Sequence, residues 1–197
     1  MEHNLVTHAS NNPIPYPNQS GNARTNLSAA VWPFDADNSI FQYNEVCYTG
    51  VPRGTEVADG EAFDSDYYCV NTLFQYNYSH DNEGGCVMFC EGESVNNIFR
   101  YNISVNDGIE RSGVVTPVRN IDAHIHNNIF IIQESVPFIR TNMSEGGMLV
   151  ENNLIINAGD EARTEDWHHQ TEKAQYCGNL YGNYAIIPED DREAKDA

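Results

Sequence analysis

Acidic side chains are concentrated between residues 59 and 83, in the segment "DGEAFDSDYYCVNTLFQYNYSHDNE". Two of them, Asp64 and Asp66, are separated by a single serine. In a β-strand, residues two apart point to the same side and lie about 6.5–7 Å from each other. Carboxyl groups about 6.5–9.5 Å apart suit an inverting glycosidase, in which one acid protonates the leaving oxygen and the other activates water. The spacing therefore predicts a pair of catalytic carboxylates at Asp64 and Asp66.

A further candidate carboxylate comes from the next repeat of the sequence. A shift of 24 residues brings Asp59 beside Glu83 and Phe63 beside Val87, on adjacent strands about 5 Å apart. This shorter separation suits a retaining glycosidase, so both geometries stay open. Crowded carboxylates also raise the pKa of one another, which a general acid requires. We predict that the catalytic residues are Asp64, Asp66 and Glu83, and that Asp59, His80 and Asp81 bind substrate.

The same segment has interpretations that need no catalysis. Its clustered Asp and Asn oxygens suit Ca²⁺, which takes hard oxygen ligands. The stretch "DNEGG" has the composition of an ordinary turn, and acids on a protein of net charge −19 can simply face solvent. Calcium is thus the single cofactor that the sequence allows, and no residue is assigned as a metal ligand.

Two tryptophans are candidate sugar-binding residues, because an indole ring can stack on a sugar ring. Trp32 lies in "AVWPFDADN", and Trp167 precedes His168. Trp32 can equally anchor the insertion before Asn44, and Trp167 can equally close the end of the fold. Both tryptophans are predicted to bind substrate, and the structural alternatives stay open.

An asparagine recurs in similar surroundings along the chain. Three units, "SIFQYNEV", "TLFQYNYS" and "NIFRYNIS", share an apolar residue, Phe, a polar residue, Tyr and Asn. Each unit alternates as a half-buried strand does, and no amphipathic helix accompanies it. A repeat of about 25 residues with this pattern predicts a solenoid of stacked β-coils, one coil for each repeat. The recurring residues are Asn44, Asn77, Asn102, Asn128, Asn153 and Asn183, with Asn4 in the same place near the N-terminus.

The recurrence of asparagine has a structural explanation. A tight corner between two strands often needs a left-handed backbone, which Asn tolerates. The Asn amide can also bond to the Asn of the next coil, about 4.8 Å away. We therefore predict a buried ladder of asparagine amides. The residues before three of them, Tyr43, Tyr76 and Tyr101, are predicted to stack in register.

These Phe-x-Tyr-Asn-x-Ser units resemble right-handed parallel β-helix proteins of the pectate-lyase-like superfamily, and in particular bacterial β-helix repeat proteins of carbohydrate utilisation. The resemblance spans roughly residues 38 to 188. It implies an all-β fold, a right-handed, single-stranded parallel β-helix (solenoid) of about six to seven coils with an Asn ladder. It implies one domain over residues 1–188, before a charged tail at 189–197 that we expect to be solvated. It also implies catalytic acids on the outward face of the first strand of a coil and on the turn before that strand.

Charge and cysteine content limit the partners and the compartment. With 10 Lys and Arg against 29 Asp and Glu, the net charge is −19, which argues against nucleic acid and anionic membranes as partners. No stretch is apolar enough to span a membrane, and the first residues lack the pattern of a signal peptide. The five cysteines include no CxxC pair, so free thiols are expected rather than a zinc ribbon. Since the repeat begins inside a coil, we expect part of a longer monomeric protein that is extracellular or at the cell surface.

Together these features predict a glycoside hydrolase that acts on a plant or host glycan, either a polysaccharide or an oligosaccharide. Two alternatives stay open. A polysaccharide lyase usually needs a Lys or Arg base, and no Lys occurs before Lys173. A non-catalytic glycan-binding or adhesion module would have the same fold without the reaction.

Overall fold

The architecture consists of β-strands and their connections. The structure, a computed structural model, describes residues 1–10, 16–17, 23–24, 29–51, 59–90, 92–109, 113–140, 146–168 and 173–196. Every regular element in these ranges is a β-strand. The described residues contain no helix that is long and apolar enough to cross a membrane. The all-β class that the sequence predicts is therefore confirmed.

Parallel strands from successive coils stack into three sheets. The eight-stranded sheet contains, in spatial order, β1 (Leu5–Thr7), β5 (Glu45–Cys47), β8 (Tyr78–His80), β11 (Ile103–Val105), β14 (Ile129–Ile132), β16 (Leu154–Asn157), β18 (Leu180–Gly182) and β19 (Lys195–Asp196). The six-stranded sheet contains β17 (Ala174–Cys177), β15 (Met148–Glu151), β13 (Ala123–His126), β10 (Asn97–Arg100), β7 (Leu73–Gln75) and β4 (Ile40–Gln42). The three-stranded sheet contains β12 (Val115–Pro117), β9 (Gly85–Phe89) and β6 (Glu61–Ser65), and an antiparallel pair joins β2 (Tyr16–Pro17) and β3 (Ala23–Arg24).

The register of the strands follows the repeat in the sequence. In the six-stranded sheet, Phe74 of β7 pairs with Phe41 of β4 and with Phe99 of β10. In the three-stranded sheet, Phe63 of β6 pairs with Val87 of β9, which confirms the predicted shift of 24 residues. Each strand thus lies against its equivalent in the next coil, and the stack is a β-solenoid. The right-handed sense and the number of coils stay predictions.

The core is a column of apolar side chains that point inward from the three sheets. Phe63, Phe74 and Phe99 are fully buried, and their ring centroids lie 5.4–6.4 Å apart. Burying one Phe side chain stabilises the fold by about 1.5–3 kcal/mol. Because Phe63 is part of this column, the packing fixes the position of β6 and of the acids on it.

The predicted ladder of asparagines is present, and all but its first residue are buried. At each step the Nδ2 of one asparagine donates to the Oδ1 of the next, at 2.9–3.1 Å. The backbone N–H of each ladder residue donates to the same oxygen. The ladder residues are Asn4, Asn44, Asn77, Asn102, Asn128, Asn153 and Asn179, and Asp191 ends the series.

The sequence prediction was wrong at the last asparagine. Asn183 is exposed and lies outside the ladder, and Asn179 occupies the ladder place instead. The strand register gives the reason, since Leu180 pairs with Leu154 and thereby aligns "GNLYG" with "NNLII".

The left-handed backbone belongs to the residue before the ladder asparagine and not, as predicted, to the asparagine itself. Tyr43, Tyr76 and Tyr101 have φ values of 56°, 55° and 54°. Their rings stack nearly parallel at 5.3 Å, which confirms the predicted tyrosine stack. This arrangement leaves the N–H of each following asparagine directed at the next coil.

The charged C-terminal segment is mostly exposed, as the sequence suggests, but Asp191 and strand β19 belong to the fold. Asp191 is 5% exposed, and its carboxylate accepts hydrogen bonds from the N–H of Gly178, from Asn179 and from the hydroxyl of Tyr181, at 2.6–3.1 Å. Strand β19 then pairs with β18. A carboxylate suits the ladder end because it accepts hydrogen bonds without needing to donate one. Ala197 lies outside the described residues.

Candidate functional site

Strand β6 holds the largest group of candidate acids, and its neighbours fix their positions. It pairs with β9 on one side and with the segment around Val31 on the other. The N–H of Asp64 donates to the carbonyl of Val31 at 3.0 Å, and the N–H of Asp66 donates to that of Pro33 at 3.2 Å. This register sets Trp32 beside Asp64 on the same face of the sheet.

Asp64 is buried rather than exposed on the outward face as predicted, since only 2% of the residue is accessible. Its neighbours in register, Trp32 and Met88, occupy the adjacent strands on both sides. Burial raises the pKa of Asp64 well above its ordinary value, and the negative charges of Asp66 and Glu61 raise it further. Its Oδ1 has no hydrogen-bond partner among the described residues. Asp64 therefore holds its proton to higher pH than an ordinary carboxyl group does.

Asp59 and Asp66 are partly exposed, in contrast to Asp64 between them in the sequence. The Oδ1 of Asp66 accepts the N–H of Tyr67 at 2.8 Å, which holds the carboxylate near the end of β6. The charge of Asp59 raises the pKa of both Glu61 and Asp64. The structure thus brings the predicted residues Asp59, Asp64 and Asp66 into one electrostatic environment.

Glu61 is an acid of this group that the sequence reasoning missed. Its Oε1 lies 3.3 Å from the Nη1 of Arg140 and accepts from the hydroxyl of Thr116 at 3.4 Å, and both Glu61 and Arg140 are fully buried. Burial and the charge of Asp59 raise the pKa of Glu61 to about 8, although Arg140 opposes this. The signal was present, because Glu61 shares the inward alternation of Phe63 and an inward acid needs an explanation. We call Asp59, Glu61, Asp64 and Asp66 the acid cluster.

Glu83 lies on the turn before β9. Its Oε2 accepts the N–H of Val51 at 2.8 Å, and its own N–H donates to the carbonyl of Thr49. These bonds join the turn to the preceding coil. Glu83 therefore has a structural contact in addition to any part in catalysis.

His80 and Asp81 lie at the end of β8 in the eight-stranded sheet, whereas the acid cluster surrounds β6 in the three-stranded sheet. The Nδ1 of His80 lies 2.8 Å from Asp81, and its Nε2 lies 3.3 Å from Glu45. Partial burial lowers the pKa of His80, but hydrogen bonds with Asp81 and Glu45 outweigh it and raise the pKa overall. The expected convergence of these two residues with Asp64 is not what the structure shows, because the two sheets present them on different faces.

An exposed aromatic surface lies next to the acid cluster. Trp32 is 46% exposed and Phe34 is 55% exposed, with ring centroids 6.5 Å apart. The ring of Phe34 also lies 6.3 Å from that of Tyr67, the residue after Asp66. Exposed indole and phenyl faces beside carboxyl groups are an arrangement that can hold a sugar ring next to an acid and a base.

Trp167 does not belong to this surface, contrary to the sequence expectation. It is 4% exposed and its indole N–H donates to the carbonyl of Ile186 at 2.8 Å. Its ring packs against Tyr181 and Tyr184 at 5.1 and 4.9 Å. Trp167 thus closes the apolar core near the C-terminal end of the solenoid, which was the structural alternative.

Among the described residues, three side chains that could bind a metal ion come together on the eight-stranded sheet. A carboxylate oxygen of Glu45, the sulfur of Cys47 and a ring nitrogen of His80 all lie within 4.8 Å of one another. Sulfur and nitrogen do not match the all-oxygen shell of Ca²⁺. The calcium that the sequence allows near Asp64 and Asp81 stays a prediction.

Comparisons with known proteins identify similar carbohydrate-active enzymes. The chain is 37% identical to a lacto-N-biosidase of Bifidobacterium longum subsp. longum over 182 residues, which make up 91% of the chain and 11% of that protein. The crystal structure of native GH136 lacto-N-biosidase from Eubacterium ramulus matches with a TM-score of 0.57 and 41% identity, over 64% of the chain and 19% of that structure. Its selenomethionine derivative gives 0.55 and 42%, over 63% of the chain and 19% of that structure. No protein-family model matches the chain.

The similarity is specific but covers a limited part of the relatives. The chain spans 11% of the length of the curated relative and 19% of the solved structures. Sequence identities near 40% together with the TM-scores show that the matched segments have similar folds. The relatives contain much more chain than this solenoid.

Proposed function

We propose that this chain is a catalytic portion of a glycoside hydrolase with lacto-N-biosidase-type activity. The observation that carries the proposal is the acid cluster, in which carboxyl groups of different exposure surround one strand beside exposed Trp32. The names of the similar enzymes supply the substrate class. An oligosaccharide substrate is also compatible with a chain of net charge −19.

The exposure of each acid suggests its role. A group that donates a proton to a glycosidic oxygen, or attacks the sugar, must touch the substrate. Asp59 and Asp66 are partly exposed and meet this requirement, whereas Asp64 is 2% exposed. We assign substrate contact to Asp59 and Asp66, and to Asp64 the role of a buried neighbour whose raised pKa limits the negative charge beside them. Glu83 remains a candidate on the adjoining turn.

The proposal also covers the stereochemistry and setting of the reaction. Carboxyl groups about 5–5.5 Å apart would give retention, and groups about 6.5–9.5 Å apart would give inversion. The anomer that forms first, observed by NMR during hydrolysis, distinguishes the two. We further propose that the protein is monomeric and acts outside the cell, where glycans are accessible.

The test measures sugar release from an aryl lacto-N-bioside and from neutral and acidic glycans. The 197-residue chain is assayed alone, and also as a hybrid in which it replaces the aligned segment of the Bifidobacterium enzyme. Asp59→Asn and Asp66→Asn are expected to lower turnover by about 100-fold or more, the usual contribution of a general acid or base. The turnover of Asp64→Asn and of Glu83→Gln shows how much each of these two acids contributes to the reaction.

The matched control is Glu161→Gln, which changes an exposed acid outside the cluster. It is expected to retain full turnover. A folded hybrid with no turnover on any glycan would overturn the proposal. So would Asp59→Asn and Asp66→Asn variants that turn over substrate as fast as the unsubstituted protein. Products with the absorbance of an unsaturated uronate would instead identify a lyase.

A non-catalytic glycan-binding module is the second candidate. It is favoured by the small share of the relatives that the chain spans, 11% and 19%. In that case folded protein binds the glycan without releasing sugar. Binding is then unchanged in Asp66→Asn and weakened when Trp32 is replaced by Ala.

A further inference from the structure

The eight-stranded sheet holds a group of three side chains with the chemistry of metal ligands. Glu45 and Cys47 lie two positions apart on β5, so both side chains point to the same side of the sheet. Cys47 pairs in register with His80 of β8. The backbone pairing of adjacent coils therefore brings a carboxylate, a thiol and an imidazole together.

The distances within this group fit one small ion. A ligand atom from each of Glu45, Cys47 and His80 lies within 4.8 Å of the other two. The Nε2 of His80 lies 3.3 Å from the Oε1 of Glu45. Two ligands bonded to one tetrahedral zinc ion are about 3.4 Å apart, since Zn–N and Zn–O bonds are about 2.0–2.2 Å long.

The other nitrogen of His80 has the partner that metal-binding histidines need. Its Nδ1 lies 2.8 Å from the Oδ2 of Asp81, and the side chain of Asn106 donates to the remaining oxygen of Asp81. A metal-ligating histidine usually donates its second ring N–H to a carboxylate, which fixes the tautomer and turns the free nitrogen to the ion. Asp81 would therefore position His80 without touching the metal.

Aromatic rings hold the imidazole in place. The ring of Tyr78 stacks on His80 at 4.6 Å, and the ring of Tyr48 meets it edge-on at 5.6 Å. The side chain of His80 is 14% exposed, whereas that of Glu45 is 50% exposed. An ion can thus enter past Glu45 and meet an imidazole whose orientation is already set.

We propose that Glu45, Cys47 and His80 bind one Zn²⁺ ion, with Asp81 as the positioning residue and a water molecule in the fourth place. Thiolate and imidazole together select zinc over Ca²⁺ and Mg²⁺, which prefer oxygen. Three protein ligands leave one coordination position open. The site lies on a different sheet from the acid cluster, so it goes beyond the proposed hydrolase function and stands independently of it.

The test uses the full chain, reduced and freed of metal with a chelator. A thiol titration first verifies that Cys47 is reduced. Calorimetric titration with zinc chloride is expected to show one ion bound per chain, with affinity lowered at least tenfold in Cys47→Ser and His80→Gln. Asp81→Asn is expected to lower it by about 10–100-fold, as for partners of metal-binding histidines.

Two controls separate this site from adventitious binding. Cys177→Ser removes a partly exposed thiol on the six-stranded sheet and is expected to leave the affinity unchanged. Cobalt added to the wild type is expected to give a thiolate-to-metal absorption band. Cys47→Ser is expected to abolish this band, and Cys177→Ser is expected to retain it. Hydrolysis assays are not needed for either readout, and Asp66→Asn is expected to bind zinc normally.

The outcomes are decisive in both directions. Without zinc, the partly exposed Glu45–His80 pair contributes little, so Glu45→Gln is expected to leave the thermal midpoint nearly unchanged. With zinc, proteins that retain all three ligands are expected to gain more stability than variants that lack one of them. The proposal would be overturned if the reduced, folded wild type took up no zinc. It would also be overturned if Cys47→Ser and His80→Gln bound zinc as tightly as the wild type.

Discussion

At the scale of single residues, Asp107 shows how this solenoid uses a buried carboxyl group. The residue is 1% exposed, and its oxygens accept hydrogen bonds from the hydroxyls of Ser79 and Ser104, each at 2.7 Å. Asn82 donates to it through both the backbone N–H and the side-chain amide. Burial nevertheless raises its pKa from 3.8 to about 6. Asp107 is thus satisfied by four donors while its charge is costly.

The substitution Asp107→Asn is therefore expected to stabilise the protein at pH 7. An acid whose pKa is raised in the folded state stabilises it below the unfolded pKa and loses that contribution as the pH rises through the folded value. Here the loss occurs between about pH 4 and pH 6, and the change in pKa corresponds to about 3 kcal/mol at full ionisation. Chemical denaturation at pH 4, 5, 6 and 7 is expected to show the variant gaining on the wild type across this window.

The control for this prediction is Asp160→Asn, which changes an exposed acid of the same type. It is expected to show no such divergence. If the two proteins differ by a constant amount at every pH, Asp107 does not titrate in this window and the assignment is wrong.

At the scale of elements, the asparagine ladder links each coil to the next through groups that water does not reach. Asn102 is 2% exposed, and its Nδ2 donates to Asn128 and to the carbonyl of Phe74, both at 3.1 Å. Its Oδ1 accepts the N–H and the amide of Asn77. Removing the amide leaves donors and acceptors on both adjacent coils without partners.

The substitution Asn102→Ala is expected to cost several kcal/mol. Each buried polar group left without a partner costs about 1–3 kcal/mol, and at least two coils lose partners here. Asn4→Ala is the matched comparison, because Asn4 belongs to the same ladder but is exposed at its end. Chemical denaturation should show a much smaller loss for Asn4→Ala, and equal losses would mean that burial does not determine the ladder's contribution.

The sequence predicts these elements well because one physical pattern is repeated. The similar units that contain Asn44, Asn77 and Asn102 predict parallel strands in register, and the structure contains them. The pattern weakens towards the C-terminus, where "GNLYGN" contains two asparagines. The regular step of 25–26 residues from Asn153 leads to Asn179, whereas the prediction took Asn183, which lies 30 residues after Asn153. The left-handed tyrosines were missed because Asn is the usual residue in that conformation, whereas here ring stacking accompanies it.

The candidate site was less predictable because strand alternation does not say what covers a face. Alternation correctly separates Phe63 from Asp64, yet both are buried. Phe63 packs in the aromatic core, and Asp64 lies between residues of the two adjacent strands. Glu61 and Arg140 are far apart in sequence, and only the stacking of coils brings them within 3.3 Å. Contacts between distant coils of this kind leave no local signal.

At the scale of the whole molecule, stability in a solenoid is close to a sum of nearest-neighbour contacts between coils. A coil at the end of the stack has one neighbour fewer and opens first unless its exposed groups are satisfied. Asp191 satisfies the last asparagine step, with its Oδ2 at 2.8 Å from the Nδ2 of Asn179. A substitution at the end of the ladder can therefore distinguish unfolding of the last coil from unfolding of the whole stack.

Hydrogen exchange measures this separation directly in the substitution Asp191→Ala. The change leaves Asn179, Tyr181 and the N–H of Gly178 without their acceptor. Amides of β17 and β18 are expected to exchange at least tenfold faster, because the loss of even one such hydrogen bond costs about 1.5–3 kcal/mol when the acceptor is charged. Amides of β7 and β8, several coils away, are expected to keep their rates, as is every strand in the control Glu189→Ala, which changes an exposed acid. Uniformly faster exchange along the whole stack would show instead that the solenoid opens as one cooperative unit.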